Sequence, residues 1–273
     1  MNTIYLLKVY IRMLLFALRR VTFSVSDLHA LLFLILAPLF YVCKFKGVLK
    51  SPIGYLYVGN STILRSSTYG IFKTYFSYMY ILRKLHLLNS FFSTIVDVGA
   101  NVGDFTLAIR KFAERVVSIE PDEENVRALK VNLSLNDPDN IIVLKVAAHN
   151  KEETLYLRGE SSNKYVVQVQ KGIEVPVKGM PLDKIISSLK IENIDVLKID
   201  VQGHEEKVID GARSLFRDNK VKILIVEAHV NRGVSVKNII NSLFSYGYDL
   251  IYEEQYLIKE QPHLYFKRIS LDN

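Results

Sequence analysis

From Thr94 onward the chain alternates short apolar runs with amphipathic stretches. The apolar runs predict strands at 94–98, 116–120, 141–146, 194–199 and 221–227. The stretches between them predict helices at 104–113, 122–135, 181–190 and 204–216. Strand and helix in alternation call for an α/β fold, a parallel sheet with helices on both faces. Residues 153–178 interrupt the rhythm with two or three extended pieces, among them Val166-Val-Gln-Val-Gln170, and predict an antiparallel insertion. A helix at 236–245 and strands at 248–253 and near 264–269 complete seven strands, the last two as an antiparallel pair. Upstream, residues 1–43 are apolar and read as helical, Tyr55–Val58 as a short strand, and Ile71–Leu88, rich in Tyr and Phe, as a helix. The domains expected are therefore an apolar, basic segment at 1–50, a lead-in at 51–93 and the α/β domain at 94–273.

The first strand runs into a glycine turn and then a helix, TIVDVGANVGDFTLAIR, residues 94–110. Junctions of this kind receive nucleotide-like ligands, because the backbone is bare and helix N–H groups point outward. The dinucleotide fingerprint G-x-G-x-x-G fails here, since Asn101 and Asp104 occupy its second and third glycine positions; the phosphate-loop pattern is also absent. Asp97 and Asp104 put two carboxylates where a pyrophosphate would sit. The turn therefore suits a cationic ligand, an amine and a sulfonium attached to an adenosine. Glu120, at the end of the second strand, stands where such folds accept hydrogen bonds from ribose hydroxyls.

The blocks VDVGANVGDFT (96–106), SIEP (118–121), VLKIDVQGHEEKVIDGA (196–212) and ILIVEAH (223–229) resemble the successive blocks of the FkbM-type S-adenosylmethionine-dependent methyltransferases. The resemblance covers about half the chain. It implies a Rossmann-like class I methyltransferase fold, S-adenosyl-L-methionine as cofactor, and a hydroxyl oxygen of a sugar, polyketide or other small or glycan-like molecule as acceptor. Asp97, Gly99, Ala100, Asn101, Gly103 and Glu120 are the cofactor-binding residues it implies. Gln202 stands where the family often has an acidic residue and His204 where it often has a small one, which bears on the acceptor more than on the cofactor.

In such a sheet the ligand lies beyond the carboxyl ends of the strands, where strand order reverses. The fourth and fifth strands end at Asp200 and Glu227, so Asp200, Gln202, His204, Glu205, Glu227 and His229 are expected to face the acceptor. An alcohol is a poor nucleophile until its proton can leave, so a carboxylate or imidazole within reach would assist. Asp200 is the first candidate for base or orienting group, followed by His204, Glu227 and His229. Glu205, in the first turn of a helix, serves equally well as a dipole partner, and His229 as a group that satisfies buried backbone. No compact ligand motif assigns a metal, although Asp200, Glu227 and His229 have the chemistry to clamp two acceptor hydroxyls through a divalent ion.

Charge divides the chain. Residues 1–50 hold seven Lys/Arg against Asp27 alone, while the remainder holds 28 basic and 27 acidic residues. A neutral α/β domain carries no nucleic-acid footprint, and one cysteine, Cys43, excludes an internal disulfide. Leu28–Cys43 is an uncharged run of 16, shorter than the roughly 18–20 residues of a spanning helix. Lys8, Arg12, Arg19, Arg20 and Lys44–Lys50 flank it or precede it as an interfacial anchor would. The expectation is attachment to the cytoplasmic face of a membrane; the alternative is a cytoplasmic protein with a helical lid packed on its soluble part. A degenerate methyltransferase fold kept as a membrane-bound scaffold is the competing function. The sequence leaves oligomeric state open.

Overall fold

The computed structural model describes residues 3–21, 25–42, 47–58, 69–159, 164–168, 174–255 and 260–269. The chain falls into two compact units, one made of Met1–Phe91, Val102–Phe112 and Arg127–Asp139, the other of Phe92–Asn101, Ala113–Val126 and Asn140–Asn273.

In the first unit, helices Thr3–Leu18 and Val25–Val42 precede a hairpin of β1 (Gly47–Ser51) and β2 (Gly54–Val58). A helix at 69–84 follows, wound as a π-helix over Thr74–Met79. Two charges in the apolar N-terminal region are used internally. Arg20 donates to the Phe76 carbonyl at 2.7 Å, with its guanidinium 3.7 Å from the Phe16 ring centroid; Asp27 accepts from the Tyr75 hydroxyl at 2.8 Å and is buried. The N-terminal helices thus pack on the helix at 69–84, within their own unit. β1, which the sequence reading omits, forms because Ser51 and Gly54 close a tight turn through a 2.7 Å hydrogen bond from the Ser51 hydroxyl to the Gly54 carbonyl. Asn136 and Asn132 then accept from the Tyr55 and Tyr57 N–H groups of β2. Cys43, Lys44 and Lys46 lie outside the described residues, as do Val169 and Gln170 of the expected insertion strand.

The second unit holds a seven-stranded sheet. Its strands are β3 (Phe92–Val98), β4 (Ala113–Ile119), β5 (Ile141–Leu144), β10 (Ile194–Ile199), β11 (Val221–Glu227), β12 (Tyr248–Glu254) and β13 (His263–Arg268), in the order β12-β13-β11-β10-β3-β4-β5. β3, β4, β5, β10 and β11 are parallel, while β13 runs antiparallel between β11 and β12. Strands such as β10 are buried along their whole length, as a parallel sheet covered on both faces requires. From β3 the chain steps outward to β4 and β5 on one side and later to β10 and β11 on the other, so the order reverses between β3 and β10. The crevice beyond their carboxyl ends is the ligand position of this architecture.

Three boundaries differ from expectation. β5 ends at Leu144, and 147–149 become β6 (Ala147–His149) of a second, four-stranded sheet with β7 (Glu153–Arg158), β8 (Tyr165–Val167) and β9 (Val175–Pro181), in the order β6-β9-β7-β8. The helix from Asp104 is α-helical only to Ile109 and tightens into a 3-10 turn over Arg110–Phe112. The helix expected over 204–216 is two helices, Glu205–Asp210 and Arg213–Arg217. The break has a cause: the Gly211 carbonyl accepts from Asp183 N–H at 2.9 Å, and the Asp183 carboxylate accepts from Ser214 and Leu215 N–H, both at 3.0 Å, to start the second helix. A Cβ at Gly211 would stand 1.8 Å from the His149 carbonyl oxygen.

Gly211→Ala should therefore destabilise the protein by about 1–3 kcal/mol or more, the range for forced overpacking. It should be read as a lower urea midpoint at unchanged slope. An unchanged midpoint would mean that the β6 backbone yields freely.

Candidate active site

The turn after β3 is fastened to the neighbouring strand. Gly99 and Ala100 N–H both donate to the Ile119 carbonyl, at 2.9 and 3.0 Å, so neither is free for a phosphate. Gly99 adopts φ 81°, and a Cβ there would stand 1.9 Å from the Asp200 carbonyl oxygen. Glycine is required because the ends of β3 and β10 touch, not only because a ligand must approach. Gly103, in the first unit, opens the helix Asp104–Ile109 at φ 95°, and Asp104 accepts from the Thr74 hydroxyl at 2.9 Å within that unit. Asp97 is fully buried and accepts from Lys198 Nζ at 3.0 Å, its direct neighbour across the β3–β10 ladder. The carboxylate expected to meet a cationic ligand is thus paired with a lysine.

Glu120 follows β4 and is 6% exposed. Its Oε2 accepts from Asn101 N–H at 2.9 Å, and its Oε1 from Asp122 N–H at 3.0 Å and the Asn125 side chain at 3.2 Å. Burial outweighs these donors and pushes its pKa up to about 7. Asn101, at φ 51°, carries a buried Oδ1 without a hydrogen-bond partner. A buried orphan acceptor beside an underused carboxylate fits a ligand rich in hydroxyl and amine donors, as the ribose and adenine of an adenosine are.

Beyond β10 and β11 the structure brings together three of the four predicted catalytic residues. Ligating atoms of Asp200, Glu227 and His229 lie within 4.8 Å of one another. His229 Nε2 is 4.0 Å from Asp200 Oδ1 and 3.7 Å from Glu227 Oε1, and the histidine is completely buried. Burial opposes a charge on His229, but its hydrogen bond to Glu205 and the charges of Glu227, Glu205 and Asp200 outweigh it and raise its pKa above the ordinary histidine value. Glu205 does far more than face a helix dipole. Fully buried, its Oε1 accepts from Gly203 N–H at 3.0 Å and lies 2.7 Å from His229 Nδ1, so it fixes both the loop after Asp200 and the imidazole. Lys198 and His263 complete the surroundings: Lys198 Nζ is 3.6 Å from Asp200, and His263 sits between its register partners Glu227 and Glu254 at 3.5 and 3.3 Å. Both were missed because a lysine inside a strand and a histidine near the chain's last strand carry no spacing signal.

His204 is drawn aside. Its Nε2 lies 2.8 Å from His149 Nδ1, the two rings stack at 4.8 Å, and His149 Nε2 is 2.6 Å from Glu153 Oε1. Burial, and then the neighbouring His149, lower the His204 pKa to about 4. A cleft of about 560 Å³ is lined by Gln202 and Gly203, just after Asp200 in sequence, by Asn231 and Arg232, just after His229, and by Tyr165 and Val166 of β8. The Arg232 guanidinium lies 4.4 Å from the Tyr165 ring centroid, and a Cβ at Gly203 would stand 2.7 Å from that of Arg232.

The FkbM methyltransferase domain matches residues 97–250. No curated protein gives a significant match. Among solved structures, the methyltransferase FkbM from Methylobacillus flagellatus KT superposes with a TM-score of 0.50 at 17% identity, over 87% of this chain and 60% of that one. The chain therefore spans 60% of the length of that relative. An rRNA methylase from Streptococcus thermophilus gives a TM-score of 0.46 at 10% identity, over 70% of this chain and 96% of that one. Aeropyrum pernix fibrillarin, with S-adenosyl-L-methionine natively bound, gives 0.42 at 16% identity, over 65% and 67%. The matched segment takes in the β3 turn, Glu120 and the Asp200–Glu227–His229 cluster and covers more than half of the chain, which belongs to the FkbM methyltransferase-domain family.

Proposed function

We propose that the protein transfers a methyl group from S-adenosylmethionine to a hydroxyl oxygen of a small or glycan-like acceptor. The observation that carries this reading is the backbone contact between the cofactor turn at Gly99 and Asp200, which puts acid–base groups beside the turn. When bound, the cofactor supplies an activated methyl on a sulfonium for in-line displacement. Glu120 would accept from the ribose hydroxyls and Asn101 Oδ1 from a further donor. Asp200, 9% exposed at its side chain and steered by Lys198, would orient the acceptor hydroxyl and draw its proton, with Glu227 and His229 behind it. Gln202, Asn231 and Arg232 give the cleft polar walls suited to a hydroxyl-rich acceptor.

The N-terminal helices are read as a membrane-surface element on the cytoplasmic side, where S-adenosylmethionine is made. In support, Ile11, Leu15 and Leu18 recur on one helix face and are 46–52% exposed, with Arg12 and Arg19 exposed beside them. Leu28, Leu32 and Ile35 repeat the spacing on the second helix. Among the described residues no helix is long and apolar enough to cross a membrane, so a helix lying in the interface is the form favoured. Arg20, bound to Phe76 and Phe16, is not available to head groups.

Calorimetric titration with S-adenosylhomocysteine tests the cofactor. Glu120→Ala should weaken binding by about 1.5–3 kcal/mol. Ribose hydroxyls bind the ionised carboxylate, so with the Glu120 pKa at about 7 wild-type affinity should rise roughly tenfold from pH 6 to pH 8, and Glu120→Gln should flatten that slope. No binding by the wild type would return the scaffold reading. Asp200→Asn should keep cofactor affinity yet lose methyl transfer by roughly 100-fold or more; full activity would remove Asp200 from the role. Full-length protein should co-sediment with phosphatidylserine vesicles at low salt, and Leu15→Glu with Leu32→Glu should abolish this. Equal pelleting of the double variant would exclude the helix faces as the contact.

A further inference from the structure

The charged side chains at the ends of β3, β10 and β11 form one continuous series. Asp97 contacts Lys198, Lys198 contacts Asp200, His229 stands between Asp200, Glu227 and Glu205, and His263 between Glu227 and Glu254. Among the described residues the series joins five carboxylates to three groups able to carry positive charge. No member of the series but Asp200 has more than 4% of its side chain exposed. Carboxylates at that depth are costly unless they are paired or coordinate a metal.

We propose that Asp200, Glu227 and His229 hold a divalent metal ion. His229 Nε2 is the independent pointer. It is fully buried, has no hydrogen-bond partner, and faces the two carboxylates at 4.0 and 3.7 Å. Those separations are too long for hydrogen bonds. Neighbouring ligands of an ion bound at about 2.1 Å stand roughly 3 Å apart at right angles, so tilts of a fraction of an ångström would close the site. Glu205 supplies the orienting contact, since a carboxylate accepting the Nδ1 proton leaves the Nε2 lone pair directed at the ion, the arrangement that metal-bound histidines favour. His263 braces Glu227 on its far side. Two carboxylates with one imidazole suit an ion of intermediate hardness, with Mn²⁺ as the type, and three protein ligands leave positions open. The role of the ion rests on the methyltransferase reading: an acceptor hydroxyl taken into an open position would be acidified and aligned by it. The binding of the ion does not rest on that reading.

Full-length protein stripped with a chelator and titrated with Mn²⁺, followed by electron paramagnetic resonance, should bind one ion per chain. His229→Ala should lose the site, and Glu205→Gln should weaken it about 10- to 100-fold, as loss of an orienting partner does. Thermal shift by S-adenosylhomocysteine on the same samples reports folding and the cofactor site; should His229→Ala fail to fold, Glu205→Gln decides. Absence of Mn²⁺ binding by the wild type up to about 1 mM, or equal affinity in the variants, overturns the metal site whatever the cofactor result. Mn²⁺ bound by the wild type and lost in the variants, without any response to S-adenosylhomocysteine, upholds the site and removes the methyltransferase reading instead.

Discussion

The carboxyl ends of β3 and β10 meet so closely that a methyl group at Gly99 would stand 1.9 Å from the Asp200 carbonyl oxygen. The Asp200 N–H donates to the Val98 carbonyl at 3.0 Å, and one residue pair back Lys198 and Asp97 are joined across the same ladder. This contact fixes the distance between the turn after β3 and Asp200 without a flexible linker. Replacement of Gly99 would consequently act on folding before it acted on ligand affinity.

Electrostatics inside the second unit is organised by side chains that accept several donors at once. Glu205 joins the loop after Asp200 to His229, and Glu120 joins the turn after β3 to the start of the next helix. In both cases a buried carboxylate replaces what water would provide, and the backbone N–H groups of an irregular loop are satisfied from within. The loops after β3 and β10 are thereby each tied down by a buried carboxylate.

Much of this was readable from the residues. The β10 and β11 runs, the closing antiparallel pair and the placement of Asp200, Glu227 and His229 at one end of the sheet follow from apolar periodicity and from the rule of the strand-order reversal. What escaped depended on contacts distant in sequence. The break at Gly211 is set by Asp183 and His149, which no helical periodicity reveals. The Lys198 contact of Asp97 and the His149 contact of His204 likewise join residues far apart in sequence. Arg20 reads as an anchor charge in the sequence, yet it is bound to Phe76 within the first unit.

The position of β13 has a further meaning for how the molecule is made. Synthesis proceeds from the amino end, and β13 is the last strand of the sheet to be produced, yet it lies inside the sheet rather than at its edge. Until residues 263–268 have emerged, β11 and β12 cannot be joined, and Glu227 and Glu254 lack the imidazole that His263 inserts between them. A nascent chain can hold the turn after β3 complete while Glu227 and Glu254 still lack the imidazole of His263. Closure of the sheet and assembly of its charged cluster are thus a single step, because one strand supplies both the ladder partner of β11 and β12 and the imidazole between Glu227 and Glu254.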